Sequence, residues 1–380
     1  MDQRNLQSEA DTPLLRKDAN STDQERVVYG NGSQRQATSH HFSLPSWTWA
    51  KPYNNKSQSL PQTIAHRGYK AKHPENTMKA FIGAVEVGTH AIETDVHLSK
   101  DGVVVLSHVR ALFPPSKTRQ LMDFEDGDLK RCFGRKEKII DCDWDYLSGL
   151  RTIQEPHEPM PRLADLLQYI AQPGLEHIWL LLDIKMDNNS EDVMRLIGET
   201  LASVNPGQRP WEERVLMGIW VPKFLPLCKK YVASFPVVYI GFSTTMAREY
   251  LKTPGVAFNM LIWILLGPVG NRFMRDVRKA KRPLYVWTVN EPNLMVWCVQ
   301  HAVDGVITDD PKTFKEICDN WDGKKKTARP SLMQWLRMLW IWILIAVFSN
   351  SFRRRFPETV EHFIKEHNLR AKASLAIDQL

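Results

Sequence analysis

The chain has 380 residues, enough for one large domain or two ordinary ones with a sizeable buried core. Its 43% hydrophobic and 24% charged residues are those of a globular protein, and five dispersed cysteines without a CxxC pair argue against a disulfide framework and for a reducing compartment. The formal charge of +7 is modest, and no zinc-finger spacing or RNA-recognition signature supports a nucleic-acid partner.

In chain order, residues 1–60 are rich in Ser, Gln, Asn, Asp and Arg, with little periodic hydrophobicity. They are expected to form a disordered polar arm, because such a composition buries too little apolar surface to offset ordering. The polar, acidic start offers no apolar stretch for a secretory signal. From residue 61 the pattern changes. Short apolar runs alternate with amphipathic stretches: "TIAH" (63–66), "AIETDV" (91–96), "VVVLSH" (103–108), "IWLLLDIK" (178–185), "RVLMGI" (214–219), "PVVYIG" (236–241), "LYVWTV" (284–289) and "DGVITD" (304–309). Eight strand candidates with mostly helical spacers predict an α/β fold, a closed TIM (β/α)8 barrel over 61–320.

Between the strands, Asn76 or Thr77 is placed to cap a helix with Met78, Phe81, Ile82 and Val85 on one stripe and Gly88 at its end. Residues 293–303 form a second crossover helix after the Glu291-Pro292 turn. The stretch "VAFNMLIWILLGPVG" (256–270) reads equally as a ninth strand, a buried helix or a rim loop. Beyond a basic linker at 321–331 comes "LMQWLRMLWIWILIAVF" (332–348), then a basic, amphipathic tail at 349–380. The apolar segment lies after the last barrel element, between "GKKKTAR" (323–329) and "RRRF" (353–356). It is expected to be membrane-associated, spanning the bilayer or inserting partway, with its basic flanks on anionic lipid. The alternative is a core helix of the soluble domain.

In a barrel the working residues gather at the C-terminal ends of the strands. His66 and Arg67 close the first strand, and Glu93 and Asp95 leave one face of the second. His108 closes the third, Asp183 and Lys185 share a face at the end of the fourth, and Trp287 ends the seventh as a substrate platform. Three carboxylates form an all-oxygen set for Mg²⁺ or Ca²⁺. Two imidazoles can act as acid and base, and two cations suit phosphate. Together they describe phosphodiester cleavage. Each piece alone has an ordinary explanation, such as a surface turn or a solvated strand face; their coincidence at strand ends favours a site. His97 shares parity with Glu93 and Asp95 but lies past the strand end, and is read as structural.

The ordered set "HRG…PENT", "IETDV", "KDG…VVLSH", "LDIK", "VWTVN" and "GVITDDP" resembles the glycerophosphodiester phosphodiesterase family over roughly residues 61–320. Within it, "LLLDIK", "YVWTVN" and the apolar tail most resemble the fungal phosphatidylglycerol phospholipases C. The resemblance implies a TIM barrel, a divalent cation and hydrolysis of glycerophosphodiesters. It implies His66 and His108 as the acid/base pair, Arg67 and Lys185 on the phosphate, and Glu93, Asp95 and Asp183 on the metal. Two positions depart from the family pattern: Val109 stands where an aspartate usually follows the histidine, and Asp183 where many members carry glutamate. The expected activity is membrane-tethered hydrolysis of phosphatidylglycerol to diacylglycerol and glycerol phosphate, with an intracellular, cytosol-facing barrel. The organelle stays open between mitochondrion, endoplasmic reticulum and lipid droplet, and no protein partner is implied. The alternatives are a lysophospholipase D, a hydrolase of soluble glycerophosphodiesters, and an inactive lipid-binding scaffold.

Overall fold

The structure, a computed structural model, describes residues 41–52, 59–108, 128–323, 330–366 and 368. Eight parallel strands close a barrel: β1 (Gln62–His66), β2 (Ala91–Leu98), β3 (Trp179–Ile184), β4 (Val215–Ile219), β5 (Val237–Gly241), β6 (Ala257–Leu261), β7 (Leu284–Trp287) and β8 (Gly305–Thr308). Sheet order follows chain order, and β1 pairs with both β2 and β8 to complete the ring. Strands covered on both faces need continuous apolar runs, and all six residues of β3 are buried. Alternate residues then divide two cores. Ile64, Trp179, Leu181, Leu216, Val238 and Tyr285 fill the barrel interior, while Ile92, Leu180, Met217, Phe258, Val286 and Val306 face the helices. The interior is narrow: a Cβ on Gly305 would lie 2.7 Å from Ile64 Cδ1.

The barrel prediction holds, with two strands reassigned. Residues 103–108 do not supply the third barrel strand. Val104–Leu106 pairs antiparallel with β2, Val96 opposite Leu106, and extends β2 beyond the barrel as a hairpin. The reason is length: five residues separate β2 from Val104, whereas a parallel crossover needs roughly a dozen. The missing strand is β6, from the ambiguous stretch 256–270. It runs into a short helix, Ile262–Leu265, and then Gly267–Lys279. Asp183 therefore stands on the third barrel strand, not the fourth. Thr77, not Asn76, caps the helix Met78–Glu86, accepting from the Ala80 amide at 3.2 Å. Ala80, Phe81 and Ala84 form that helix's buried face, and Ile82 is exposed.

The described segments on either side of the barrel are more involved with it than expected. Of the predicted arm, residues 1–40 and 53–58 lie outside the described set, but residues 41–52 pack on the domain. Trp47 sits under the interior core and Thr48 is fully buried. Trp321, assigned to the linker, is buried as well. The C-terminal segment does not end at 348: one helix runs Leu332–Arg355, capped by Ser331 in a reciprocal box with Gln334. One stripe of it (Met338, Ile341, Ile345, Phe352) is buried against the barrel. The apolar segment thus lays one stripe on the barrel while most of it stays uncovered by the described residues, because hydropathy reports composition and not which face is covered.

Candidate active site

The interior positions change character toward the C-terminal ends of the strands. Climbing by twos, Ile64 gives way to His66, Ala91 to Glu93 and Asp95, Leu181 to Asp183, Tyr285 to Trp287 and Ile307 to Asp309. Parallel register then sets neighbours: His66 is the partner of Glu93 on β2, and Asp95 the partner of Asp183 on β3. Among the described residues, ligand oxygens of Glu93, Asp95 and Asp183 lie within 4.8 Å of one another, and all three residues are buried. Burial, then the charges of Asp95 and Asp183, push Glu93 well above the usual carboxylate range. A divalent cation relieves that repulsion, and an all-oxygen, three-carboxylate set has the chemistry to hold one.

Cations interleave with the carboxylates. Lys185 Nζ lies 2.5 Å from Asp95 Oδ1 and 2.6 Å from Asp183 Oδ2. Against its burial, Asp183 and Asp95 hold its ammonium above the ordinary lysine value. Arg67 reaches Asp95 Oδ2 with Nε at 3.0 Å and Glu75 Oε1 with Nη1 at 2.8 Å. Its backbone is left-handed, φ 57°, an uncommon conformation for a residue with a Cβ. The turn is held by its own amide, which donates to Glu93 Oε2 at 3.1 Å and to the Glu93 carbonyl at 2.8 Å. Asp95 overcomes its burial through Arg67 and Lys185 and sits well below the usual range.

His66 Nδ1 lies 2.5 Å from Asp309 Oδ1, and its Nε2 points toward Glu93 Oε2 at 3.9 Å. Burial and then Arg67 lower its pKa, with Asp309 opposing. Asp309 is itself held by Asn290, whose Nδ2 donates to Oδ2 at 2.8 Å. Burial notwithstanding, His66, Lys70 and Arg67 hold Asp309 below the ordinary value. His108 follows the hairpin strand rather than a barrel strand, close enough to Glu75 and Asp95 to act on both electrostatically. Val109 lies outside the described residues. His97 is fully buried, its Nδ1 2.7 Å from the Ser107 carbonyl and its Nε2 3.1 Å from Asp187, in keeping with a structural residue.

The structure thus brings together His66, Arg67, Glu93, Asp95, His108, Asp183 and Lys185, with Trp287 on the rim. Trp287 meets Trp220 edge to face at 5.7 Å, and Trp220 Nε1 donates to Asp183 Oδ1 at 2.6 Å. Four participants escaped the sequence reading: Glu75, Asn76, Trp220 and Asp309. Asn76 (φ 52°) donates to Asp95 Oδ2 at 2.9 Å and accepts from Thr94, so it orients a site carboxylate rather than capping a helix. Trp220 and Asp309 continue the interior parity of Leu216 and Ile307, and that count would have found them. Glu75 stands in a loop, where no period applies.

A closed parallel barrel carrying buried carboxylates, lysine, arginine and imidazoles at its C-terminal mouth is a (β/α)8 enzyme equipped for phosphate chemistry. Comparison with known sequences narrows the class: residues 66–313 match the glycerophosphoryl diester phosphodiesterase family. The chain belongs to that family and is a phosphoric diester hydrolase by membership. It is 25% identical over 329 residues to glycerophosphodiester phosphodiesterase domain-containing protein 4 of Macaca fascicularis, covering 80% of this chain but 49% of that protein, about half its length. It is 24% identical over 301 residues to lysophospholipase D GDPD1 of Rattus norvegicus, covering 70% and 88%. Among solved structures, a phosphodiesterase of Oleispira antarctica in complex with the product sn-glycerol-3-phosphate shares the fold, with TM-score 0.57, 22% identity and coverage of 69% and 98%. A glycerophosphodiester phosphodiesterase of Thermotoga maritima does so with TM-score 0.51, 22% identity and coverage of 67% and 98%.

Proposed function

We propose that the chain is a metal-dependent phospholipase of the C type, hydrolysing phosphatidylglycerol to diacylglycerol and glycerol phosphate. The observation that carries the lipid reading is the helix Leu332–Arg355. It packs against Ile262–Leu265, immediately after β6, and leaves a row of apolar side chains exposed near the mouth that holds His66 and the carboxylates. A soluble glycerophosphodiester would gain nothing from such a rim; a lipid would. The basic residues Arg353–Arg355 in the last turn suit an anionic head group.

In this reading Arg67 and Lys185 orient the phosphate, and one imidazole of the pair His66 and His108 takes the proton of a head-group glycerol hydroxyl as its oxygen bonds phosphorus. The other imidazole delivers a proton to the diacylglycerol oxygen as its bond to phosphorus breaks. Water then opens the cyclic phosphate with the two roles exchanged. Asp309 fixes which nitrogen of His66 faces the reaction. A divalent cation, Mg²⁺ or Ca²⁺, held by Glu93, Asp95 and Asp183 would supply charge stabilisation to the phosphoryl oxygens. Trp220 and Trp287 wall the mouth.

The relative named lysophospholipase D favours a second reading, in which the bond on the head-group side of a lysophospholipid is cut. Product identification separates them. Purified full-length protein is given phosphatidylglycerol or lysophosphatidylglycerol with Mg²⁺ or Ca²⁺. Diacylglycerol from phosphatidylglycerol, or monoacylglycerol from its lyso form, is expected together with glycerol phosphate; phosphatidic or lysophosphatidic acid with free glycerol would establish the D-type cut instead.

A further inference from the structure

The helix Leu332–Arg355 carries apolar side chains on two opposite faces, and the described residues cover only one of them. Leu336, Leu339, Ile343 and Val347 are 52–65% exposed, while Met338, Ile341 and Ile345 on the other side are buried. Both ends are fastened to the barrel. Near the N-terminal end, Arg337 lies 3.4 Å from Glu291, stacks over Trp263 at 4.7 Å, and Gln334 bonds Asn293. Near the C-terminal end, Phe352 meets Phe242 edge to face at 5.4 Å and Arg353 lies 3.8 Å from Glu249. Phe242, Trp263, Glu291 and Asn293 stand just after β5, β6 and β7, on the same end of the barrel as the site, and Glu249 lies further along the helix Thr244–Tyr250.

We propose that this helix is an in-plane membrane-docking element: it stays on the barrel, lies flat in the head-group region of an anionic bilayer, and presents the active-site mouth to the lipid without crossing. The inference rests on the reading that the substrate is a membrane lipid, and it adds the geometry of approach. A helix of 24 residues extends about 36 Å, long enough to span. Spanning would require release of both fastened ends and exposure of Gln334 and Arg337 to hydrocarbon, where unpaired polar groups are costly. Lying flat costs none of these contacts. The exposed row enters the acyl boundary, Trp335 and Trp340 stand part-exposed at its border where indoles favour the interface, and Arg354 and Arg355 meet anionic head groups. Arginines in the last turn, beside the apolar row, complement the negative charge of an anionic lipid surface, and that complementarity commits the face to lipid.

The test uses the full chain and sealed vesicles of phosphatidylserine and phosphatidylcholine, so that binding is read apart from turnover of any substrate. Binding is expected to phosphatidylserine vesicles and to fall at least tenfold on pure phosphatidylcholine. The double variant Leu336→Glu/Ile343→Glu should lose about a hundredfold in partitioning, given the cost of charge in the apolar boundary, while its melting temperature stays unchanged. Single cysteines introduced as Pro330→Cys and Glu358→Cys should both react with an impermeant maleimide added outside, above the background of the parent chain. Protection of one of the two sites would mean that the helix spans, and would overturn the proposal. So would parental vesicle binding by the double variant, or a stable dimer in the ultracentrifuge that the double variant disperses. Failure to cleave phosphatidylglycerol with vesicle binding intact would strike the substrate reading alone.

Discussion

The two ends of the barrel are made from the same strands with the same alternation, yet they solve opposite problems. At the N-terminal end a set of neutral polar groups closes the interior through hydrogen bonds. Trp179 donates to Gln62 Oε1 at 2.8 Å, Gln62 donates to the carbonyls of Trp47 and Trp49 at 2.8 Å, and the Tyr285 hydroxyl meets Thr48. At the C-terminal end the interior is ionic and unevenly matched: Lys185 is shared by Asp95 and Asp183, Arg67 by Asp95 and Glu75, and Glu93 is pushed up by its neighbours. A matched neutral layer stabilises a fold. A surplus of buried carboxylates is stabilised only by a further cation, which is what a site for one looks like. The comparison predicts that perturbing the upper layer changes chemistry and perturbing the lower one changes stability.

The largest effect expected is on metal removal. Treatment with EDTA should abolish hydrolysis, and Mg²⁺ or Ca²⁺ should restore it; Glu93→Gln should raise the metal concentration needed for half-maximal rate. Full activity after thorough chelation would reassign the carboxylates to a structural role. Next come the imidazoles. His66→Ala and His108→Ala should each lower kcat by about 10²-fold or more with little change in lipid binding. Wild-type turnover in either variant would remove that ring from the mechanism.

A smaller effect, about 10- to 100-fold in kcat, is expected of Asp309→Asn, since the ring of His66 remains and only its orientation and charge partner are altered. The sign of the pH effect follows from the cause. Asp309 raises the pKa of His66, against burial and Arg67. Its neutral replacement should therefore shift the limb of the pH–rate profile belonging to His66 to lower pH. A loss of rate with an unshifted profile would show that Asp309 acts only through packing.

Legibility in the sequence followed the same division. Glu93, Asp95 and Asp183 stand on strands, where a period of two fixes the face, and they were found by parity alone. Asp309 was equally accessible: it lies two residues beyond Ile307, whose side chain fills the interior. Glu75 and Asn76 occupy a loop whose shape depends on a left-handed turn at Asn76, and no periodicity encodes that. Ala257–Leu261 was hidden because its apolar run continues without a break into the helix Ile262–Leu265. Val104–Leu106 was misplaced because its composition suits a barrel strand; only the five-residue spacing from β2 excludes it. The C-terminal helix shows the limit of hydropathy: both of its faces are apolar, and tertiary contact decides which one is covered.

The smallest effect sharpens the comparison within a single strand. Tyr285 and Trp287 lie two residues apart on β7 and share the interior face, one in the neutral layer and one at the mouth. Tyr285 is fully buried, and its hydroxyl donates to Thr48 Oγ1, whose own proton goes to the Pro45 carbonyl at 2.7 Å. Tyr285→Phe removes one hydrogen bond and keeps the ring. Thr48 retains Pro45 as its partner, so no buried donor is orphaned, and the expected cost is about 1 kcal/mol. In a domain of this size that is roughly 2–4 °C in Tm. Turnover should stay at the parental value, because the hydroxyl is separated from the carboxylates by the apolar middle layer of Ile64, Leu181 and Ile307. A fall in kcat without a fall in Tm would mean that the two ends of the barrel communicate, and that the neutral layer does more than close the barrel.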